Sequence, residues 1–344
     1  MSGRLEKLWY PTVTESRLRS FLLSPLNLAE QLFRLAVSAR GTLYRKGLFK
    51  SHQIPGTRVV SVGNLNVGGA GKTPAVIWLA QRLALAGKRV GVLSRGYGRS
   101  SSRDFTFQTG SDVPLISDVG DEPLLIARNC PEAWVLVGTN RVALARVAAQ
   151  KHHCDVLILD DGFQHRRLAR QVNILVLDEN NPLGNGHLMP RGPLREPLSA
   201  VARADLLWIR CSASAVSNGN KTMPVFQGHS RVLAQYLGHS PEPPVQPEQQ
   251  VFAFAGLARP ARFLATLAEL KLNVVGYRFF RDHHSYSAAD QKWLLEAARA
   301  AGAKLVTTEK DAIRLPSQFP VSSVKLGVKV LEGEQMLLEM LGIG

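Results

Sequence analysis

Cysteine is scarce in this chain, and its few thiols follow no metal-binding pattern. Cys130, Cys154 and Cys211 are the three cysteines in 344 residues, and they lack the short spacings of zinc sites. No run of about 18 to 20 apolar residues is uninterrupted, so we expect no transmembrane helix. A signal peptide and a fixed-period repeat are also not seen. The simplest expectation is an intracellular, reduced protein.

Acidic residues are also under-represented. The chain has 42 Lys+Arg against 27 Asp+Glu, for a formal net charge of +15. This balance favours anionic partners: nucleic acid, a phosphorylated substrate or an anionic membrane face. No nucleic-acid-binding motif accompanies the charge, so we expect no nucleic-acid partner. We infer no obligate protein partner either.

What the chain does contain is a strand, a glycine-rich loop and a helix in direct succession at residues 57–81, TRVVSVGNLNVGGAGKTPAVIWLAQ. Free backbone N–H groups in such a loop, and the positive end of the helix, favour an anion. We therefore predict a nucleotide site in which Lys72 contacts the β- and γ-phosphates and the Thr73 hydroxyl helps to hold Mg²⁺. The loop residues predicted to bind the nucleotide are Asn66, Val67, Gly68, Gly69, Ala70 and Gly71.

The loop departs from the strict phosphate-loop pattern at one position. Asn66 stands where that pattern has its first glycine. Asparagine tolerates left-handed backbone better than other non-glycine residues, so the turn is still feasible. The alternative interpretation is a glycine-rich turn with a surface lysine.

Strand and helix signals alternate after this loop, which predicts an α/β fold with a phosphate-loop NTPase-like parallel sheet and a second, smaller α/β domain. Ligands in such sheets bind at the carboxyl ends of the strands. A helix is expected at 119–129, and a Pro-rich stretch within 229–250 is expected to be a linker. The predicted division is an N-terminal helix at 1–40, a kinase domain at 41–228, that linker, and the smaller domain at 251–344.

Apolar residues recur at helical spacing from Phe21 to Val37, among arginines. Such an amphipathic helix could lie in a membrane interface with its cations against lipid phosphates. It could equally be an ordinary helix that packs on the domain. Pro25 is expected to mark a helix start or a kink.

Three clusters that contain acidic residues are candidates for catalytic or metal-binding roles. Asp160 and Asp161 follow a buried-type strand, which suits a carboxylate beside Mg²⁺ or, alternatively, a turn. Asp121 and Glu122 begin a helix, where they could be capping residues, or a general base and a metal ligand. Asp282, His283 and His284 follow a strand, and one of the two histidines, His283 or His284, could be polarised by a carboxylate across a cleft.

Basic loops at strand ends would suit an anionic substrate. One spans residues 95–99 and includes Tyr97, and another spans 191–197, where Arg195 could clamp a phosphate. Gln164 and His165 follow the paired acids and would line the same cleft. Either loop could instead be a surface turn.

Seven motifs in this order resemble one known family: SVGNLNVGGAGKTP, SRGYGR, GDEP, GTNR, DDGFQH, RGPLRE and FRDHHSY. The chain resembles the tetraacyldisaccharide 4′-kinases from its N-terminal helix almost to its C-terminal end. The resemblance implies a two-domain α/β enzyme that transfers the γ-phosphate of ATP, with Mg²⁺, to the 4′-hydroxyl of tetraacyldisaccharide 1-phosphate in lipid A biosynthesis. It also implies a peripheral, monotopic protein on the cytoplasmic face of the inner membrane, and favours the interfacial role of the N-terminal helix.

The same resemblance assigns roles to residues. Lys72, Asp121 and His283 would be catalytic, with Asp121 accepting the sugar hydroxyl's proton. Thr73, Glu122 and Asp161 would hold the metal. Substrate or nucleotide phosphates would be held by Tyr97, Arg141, Gln164, His165 and Arg195. The alternative functions are a membrane-associated NTP-hydrolysing switch protein and a non-catalytic binder of anionic lipid.

Overall fold

The computed structural model of this chain describes residues 9–10, 24–110, 113–211, 226–246, 248–257 and 260–343. Strands and helices alternate along most of this length, as the sequence pattern predicts. They form two sheets, and we call the units built around them the large unit and the small unit. The predicted α/β class with a parallel-dominated sheet is confirmed.

The large unit contains most of the regular elements. In chain order they are α1 (Ser24–Arg45), β1 (Arg58–Gly63), α2 (Lys72–Leu85), β2 (Val90–Ser94), β3 (Phe105–Phe107), α3 (Ile116–Val119), α4 (Asp121–Asn129), β4 (Trp134–Val137), α5 (Arg141–Gln150), β5 (Val156–Asp160), β6 (Val172–Asp178), a 3₁₀ helix (Leu198–Arg203), β7 (Leu206–Arg210) and β8 (Ser230–Gly238).

The small unit follows, and then the chain returns. Its elements are β9 (Gln250–Gly256), α6 (Pro260–Glu269), β10 (Asn273–Phe280), α7 (Ala288–Ala300), β11 (Lys304–Thr308), α8 (Glu309–Ala312) and β12 (Ser322–Val324), all packed around a four-stranded parallel sheet in the order β10-β9-β11-β12. The last two elements are β13 (Leu326–Glu332) and α9 (Glu334–Leu341).

The large sheet has nine strands in the order β13-β8-β7-β6-β1-β5-β2-β4-β3. Its central strands are parallel and buried on both faces, which explains their continuous apolar runs. Val62 of β1 pairs with Asp160 of β5. Because neighbouring parallel strands end at the same edge, the phosphate loop after β1 and the acids that end β5 lie side by side.

The predicted linker is in part a strand of the large sheet. Residues 230–238 form β8, which pairs with β7 in parallel and with β13 in antiparallel. The chain therefore leaves the large sheet along β8 and returns to it along β13. The prediction of a linker over the whole of 229–250 is wrong, because pairing with a distant strand overrides a polar, Pro-rich neighbourhood.

The final elements also belong to the large unit, so the predicted smaller domain at 251–344 is wrong for β13 and α9. Leu337 and Leu341 of α9 are buried in the same hydrophobic core as α2 and β1. Arg58 at the start of β1 donates to the carbonyl of Met340, at 2.6 Å. The helix expected at 119–129 is likewise divided, because Gly120 with φ of 87° separates α3 from α4.

Helix α1 is tied to the large unit by one buried carboxylate. Glu30 accepts from the Leu188 backbone N–H at 3.1 Å and contacts His187 Nδ1 at 3.0 Å. Pro25 lies in the first helical turn, where proline is tolerated. Leu28, Leu32 and Leu35 point to solvent along α1. No helix in the described ranges has the length and apolar character needed to cross a bilayer.

Candidate active site

The phosphate loop connects β1 to α2 and presents its last turn to the carboxyl edge of the large sheet. Gly68 and Gly71 have φ values of 112° and 90°, so both use backbone that disfavours side chains. Asn66 does not have a positive φ. Left-handed backbone at Asn66 therefore does not explain how the loop tolerates asparagine in place of the first glycine. The Asn66 side chain donates to the Pro182 carbonyl at 3.0 Å.

Lys72 begins α2, and its ammonium is held between two oxygens of the large unit. Its Nζ lies 3.1 Å from Asn64 Oδ1 and 3.4 Å from Asp161 Oδ1. Arg195 Nη1 lies 2.7 Å from the other oxygen of Asp161. Burial raises the pKa of Asp161, but the charges of Lys72 and Arg195 outweigh it and hold that pKa well below its usual range. The carboxylate is therefore ionised and flanked by cations.

Asp160 differs sharply from its neighbour in the chain. It is almost completely buried and accepts from Ser94 Oγ at 3.2 Å. Burial, together with the negative charges of Glu122 and Asp161, raises its pKa to about 7. The charges of Glu122 at the start of α4 and Asp161 after β5, two of the three predicted metal ligands, therefore both act on this buried carboxyl.

The predicted binding residues Arg141, Gln164 and His165 lie beside the phosphate loop and the turn at Asp161. Arg141 is buried and donates to the Asp161 carbonyl at 3.2 Å, so it supports the turn that carries Asp161. Gln164 Nε2 donates to the Asn64 carbonyl at 3.0 Å. Burial, with the charge of Arg141 and other arginines, lowers the pKa of His165 to about 4. His165 is therefore neutral at pH 7.

The second half of the site is formed where the two units meet. Asp121 begins α4 in the large unit, and His283 follows β10 in the small unit. His283 Nδ1 lies 3.1 Å from Asp121 Oδ2. His283 has φ of 60°, which is unusual for a residue with a side chain and typical of functional sites. His284 faces elsewhere and contacts Asp290 at 3.1 Å.

Two cationic side chains of the small unit also contact the Asp121 carboxylate, and neither was predicted from the sequence. Arg314 forms an ion pair with Asp121 Oδ2, and Lys310 Nζ lies 3.8 Å from it. Burial raises the pKa of Asp121, but the hydrogen bond from His283 and the charges of Lys310 and Arg314 outweigh it. The pKa of Asp121 is therefore held well below its ordinary value.

Arg314 is itself held by a buried acid. Asp311, fully buried, accepts from Arg314 Nη1 at 3.0 Å, from the Tyr286 hydroxyl at 2.9 Å and from Thr308 Oγ1 at 2.6 Å. These contacts join the core of the small unit to Asp121. The only available sequence signal was the cluster of acids and cations after β11, in residues 308–314.

Tyr97 lies beside this meeting point on the loop after β2. Its ring centroid is 5.6 Å from that of His283. The loop lines a cavity of about 320 Å³ together with Arg95, Arg99, Ser101, Ser102 and Thr139. The predicted basic loop at residues 95–99 therefore opens beside Asp121 and His283.

The donor set suits Mg²⁺. Asp161 Oδ1 is buried and accepts no hydrogen bond within the described part of the chain, and the Lys72 ammonium lies 3.4 Å from it, so this oxygen already faces a cation. Among those residues, no group of three or more His, Cys, Asp or Glu side chains could hold a metal by itself. Kinase Mg²⁺ sites use one or two carboxylates with water and substrate phosphates, so such a group is not needed. Asp161 fits this chemistry, and Thr73 at the start of α2 and Glu122 at the start of α4 carry the other predicted ligand oxygens.

A parallel sheet with a phosphate loop, carboxylates beside its lysine and an Asp–His pair across the cleft defines a phosphate-loop kinase. The comparisons with known proteins specify the family. The model of the tetraacyldisaccharide-1-P 4′-kinase family matches residues 19–341. The chain belongs to this family.

Individual relatives agree with the family model. The chain is 44% identical to the tetraacyldisaccharide 4′-kinase of Anaeromyxobacter sp. (strain Fw109-5), covering 93% of this chain and 91% of the relative. It is 37% identical to that of Syntrophus aciditrophicus, over 99% of both chains. A crystal structure of the "apo" form of LpxK from Aquifex aeolicus in complex with ATP has a TM-score of 0.78 and 34% identity, and covers 93% of this chain and 98% of that one. The resemblance seen in the motifs is confirmed, and these relatives do not support the switch-protein alternative.

Proposed function

We propose that this protein transfers the γ-phosphate of ATP to the 4′-hydroxyl of tetraacyldisaccharide 1-phosphate. Family membership supports this reaction. The observation on this chain that carries it is the Asp121–His283 contact between the units, in a protein whose phosphate loop places Lys72 against Asp161. The charge of Glu122, next to Asp121, raises the pKa of Asp160, next to Asp161, so the two halves are also linked electrostatically.

The phosphate loop would bind the nucleotide. Backbone N–H groups of Gly68, Gly69 and Gly71 and the N-terminus of α2 would face the phosphates, and Lys72 would leave Asp161 to contact them. Arg195, already at the same carboxylate, would add a second cation. Thr73, Glu122 and Asp161 would hold Mg²⁺, which when bound neutralises charge on the β- and γ-phosphates.

Asp121 would orient the attacking hydroxyl and accept its proton. Three cationic or polar neighbours keep this carboxylate ionised, which makes it a weak base. A weak base suffices, because phosphoryl transfer passes through a loose transition state in which the hydroxyl loses its proton late. His283 would support Asp121 from the small unit, and Tyr97 would pack against the sugar beside it.

We further propose that the protein works peripherally on the cytoplasmic face of the inner membrane. The substrate carries four acyl chains and stays in the bilayer, so the enzyme must reach it at the interface. Leu28, Leu32 and Leu35 form an exposed apolar row on α1, and the chain is strongly basic. An amphipathic helix of this type binds anionic interfaces.

The reaction is tested by incubating the protein with γ-labelled ATP and the lipid. Label should appear on the disaccharide, and Lys72→Ala should lower its rate of appearance by about 10³. Release of free phosphate at the same rate with and without lipid would contradict the kinase and favour a hydrolysing switch. Activity that persists in excess EDTA would contradict the Mg²⁺ assignments.

Membrane binding is tested separately with vesicles that contain phosphatidylglycerol. Leu32→Glu on α1 should reduce the bound fraction severalfold, because it places a charge in the apolar row. Leu85→Glu is the matched control, since Leu85 is exposed at the end of α2. Equal binding of both variants would assign α1 to the fold and not to the membrane.

A further inference from the structure

A buried tyrosine joins the large sheet to the last turn of the phosphate loop. The Tyr236 hydroxyl on β8 donates to the Gly71 carbonyl at 2.6 Å. The same hydroxyl accepts from Trp208 Nε1 on β7, at 3.1 Å. Gly71 immediately precedes Lys72, so this hydrogen bond fixes the backbone from which the lysine side chain extends.

The ring of Tyr236 also lies directly against this turn. A Cβ added to Gly71 would be 2.4 Å from Tyr236 Cε2, which is closer than real contacts allow. A Cβ on Gly69, two residues earlier, would meet no atom within 4 Å. Gly71 therefore permits contact with Tyr236, whereas Gly69 faces open space.

Strand β8 is one of the two segments that connect the units. With β13 it forms a two-stranded connector, Ser230–Gly238 and Leu326–Glu332, in which Tyr236 pairs with Val328. Two residues after Tyr236, a Cβ on Gly238 would lie 2.3 Å from Thr266 Cγ2 of α6 in the small unit. The strand that contacts the phosphate loop is thus packed closely against the unit that carries His283.

We propose that Tyr236 is a positioning residue that fixes the Gly71–Lys72 turn relative to this connector. The position of the phosphate loop and the position of the small unit are then both set by strand β8. This inference deepens the proposed function and rests on it, because it takes the loop to be the nucleotide site.

The first test replaces Tyr236 by phenylalanine, which keeps the ring and removes the hydroxyl. Loss of one buried hydrogen bond should raise amide hydrogen exchange in residues 68–73 about fivefold, and KM for ATP by about the same factor. The turnover number should stay within about twofold, because the loop holds the phosphates in ground and transition state alike.

Thr307→Val is the matched control. Thr307 is fully buried in the small unit, and its hydroxyl donates to the Phe254 carbonyl at 2.7 Å, far from the loop in the sequence and in another sheet. Both variants should lower the unfolding temperature by similar amounts. Only Tyr236→Phe should change exchange at 68–73 and KM for ATP. Unchanged exchange and KM in a folded Tyr236→Phe protein would overturn the proposal and leave a merely structural tyrosine.

A reciprocal test does not depend on Tyr236→Phe folding. Because coupling is mutual, Gly71→Ala should displace the ring and increase hydrogen exchange in residues 230–238. Gly69→Ala, in the same loop, should leave exchange there unchanged. Equal exchange at 230–238 in the two variants would contradict the link.

These readouts separate the two claims. Hydrogen exchange is measured without nucleotide or lipid, so it reports on the link even in a protein with no kinase activity. A wild-type protein that fails to label the lipid would contradict the proposed function alone. An active wild type whose Tyr236→Phe variant matches it in both exchange and KM would contradict the inference alone.

Discussion

The two halves of the candidate site differ in where their residues come from. Lys72, Asp161 and Arg195 all belong to the large unit and contact one another there. Asp121 also belongs to it, but its partners His283, Lys310 and Arg314 come from the small unit. The nucleotide half therefore needs only one folded unit, whereas the acceptor half exists only where the units meet. Binding and transfer should accordingly be separable by mutation.

The largest effect should come from the nucleotide half. Lys72→Ala removes the cation aimed at the transferred phosphate, and we expect turnover to fall by about 10³. Lipid labelling at saturating ATP is the measurement. The protein should still fold, because Asp161 keeps its contact with Arg195. A fall of less than tenfold would remove Lys72 from the transfer step.

Asp121→Asn changes the acceptor half and leaves the nucleotide half intact. It keeps the size of the side chain but removes the proton acceptor and the charge, and we expect turnover to fall by about 10² to 10³. Binding of ATP should be nearly unchanged, because the nucleotide half is intact. Nucleotide affinity by calorimetry and turnover by lipid labelling measure the two separately. Normal turnover would remove Asp121 from the base role, and lost ATP binding would show that the halves are not separable.

Arg314→Met should have an intermediate effect. It leaves Asp121 with Lys310 and His283 and frees Asp311 from its ion pair, so we expect about a tenfold loss of turnover and a lower unfolding temperature. Arg314→Lys should recover part of both.

Arg262→Met is the matched control for that variant. Arg262 on α6 forms an ion pair with Asp178 at the end of β6, so it also joins the units but does not touch Asp121. An equal loss of turnover in the two variants would mean that any contact between the units suffices.

The smallest effect concerns acid stability of the large unit. The pKa of His165 is about 4 in the folded protein, below the usual value of about 6.5. Between these values the unfolded chain binds more protons, so the free energy of unfolding falls as pH drops from about 6.5 to about 4. The side chain is partly solvent-accessible, so screening limits the effect to about 1 kcal/mol. His165→Gln should reduce the difference between urea unfolding at neutral and acidic pH, and an equal difference in both proteins would contradict this.

The difference between the nucleotide half and the acceptor half also explains which site residues could be predicted from the sequence. Lys72, Thr73 and Asp161 follow strands whose continuous apolar runs are typical of buried strands. Adjacent parallel strands end at the same edge of a sheet, so these residues could be predicted to lie near one another. Asp121 and His283 could be proposed as partners, but nothing local requires them to meet. Arg314 was missed because its role depends on how the units meet and not on its neighbours in the chain.

The errors in the fold have a related cause. β8 lies beside a Pro-rich segment, and its membership of the large sheet depends on pairing with β7 and with β13, which comes about ninety residues later in the chain. Likewise, Asn66 was expected to adopt left-handed backbone, whereas Gly68 and Gly71 do so. Local propensity identified the loop but not which of its residues forms the turn.

The return of the chain along β13 and α9 has a consequence for synthesis on the ribosome. Leu337 and Leu341 complete the core beneath α2, yet they are translated after every residue of the small unit. The core of the nascent large unit therefore stays partly exposed to solvent until residues 326–341 emerge from the exit tunnel. By then the small unit has its full sequence available, so the order of translation favours folding of the inserted unit before closure of the unit that surrounds it.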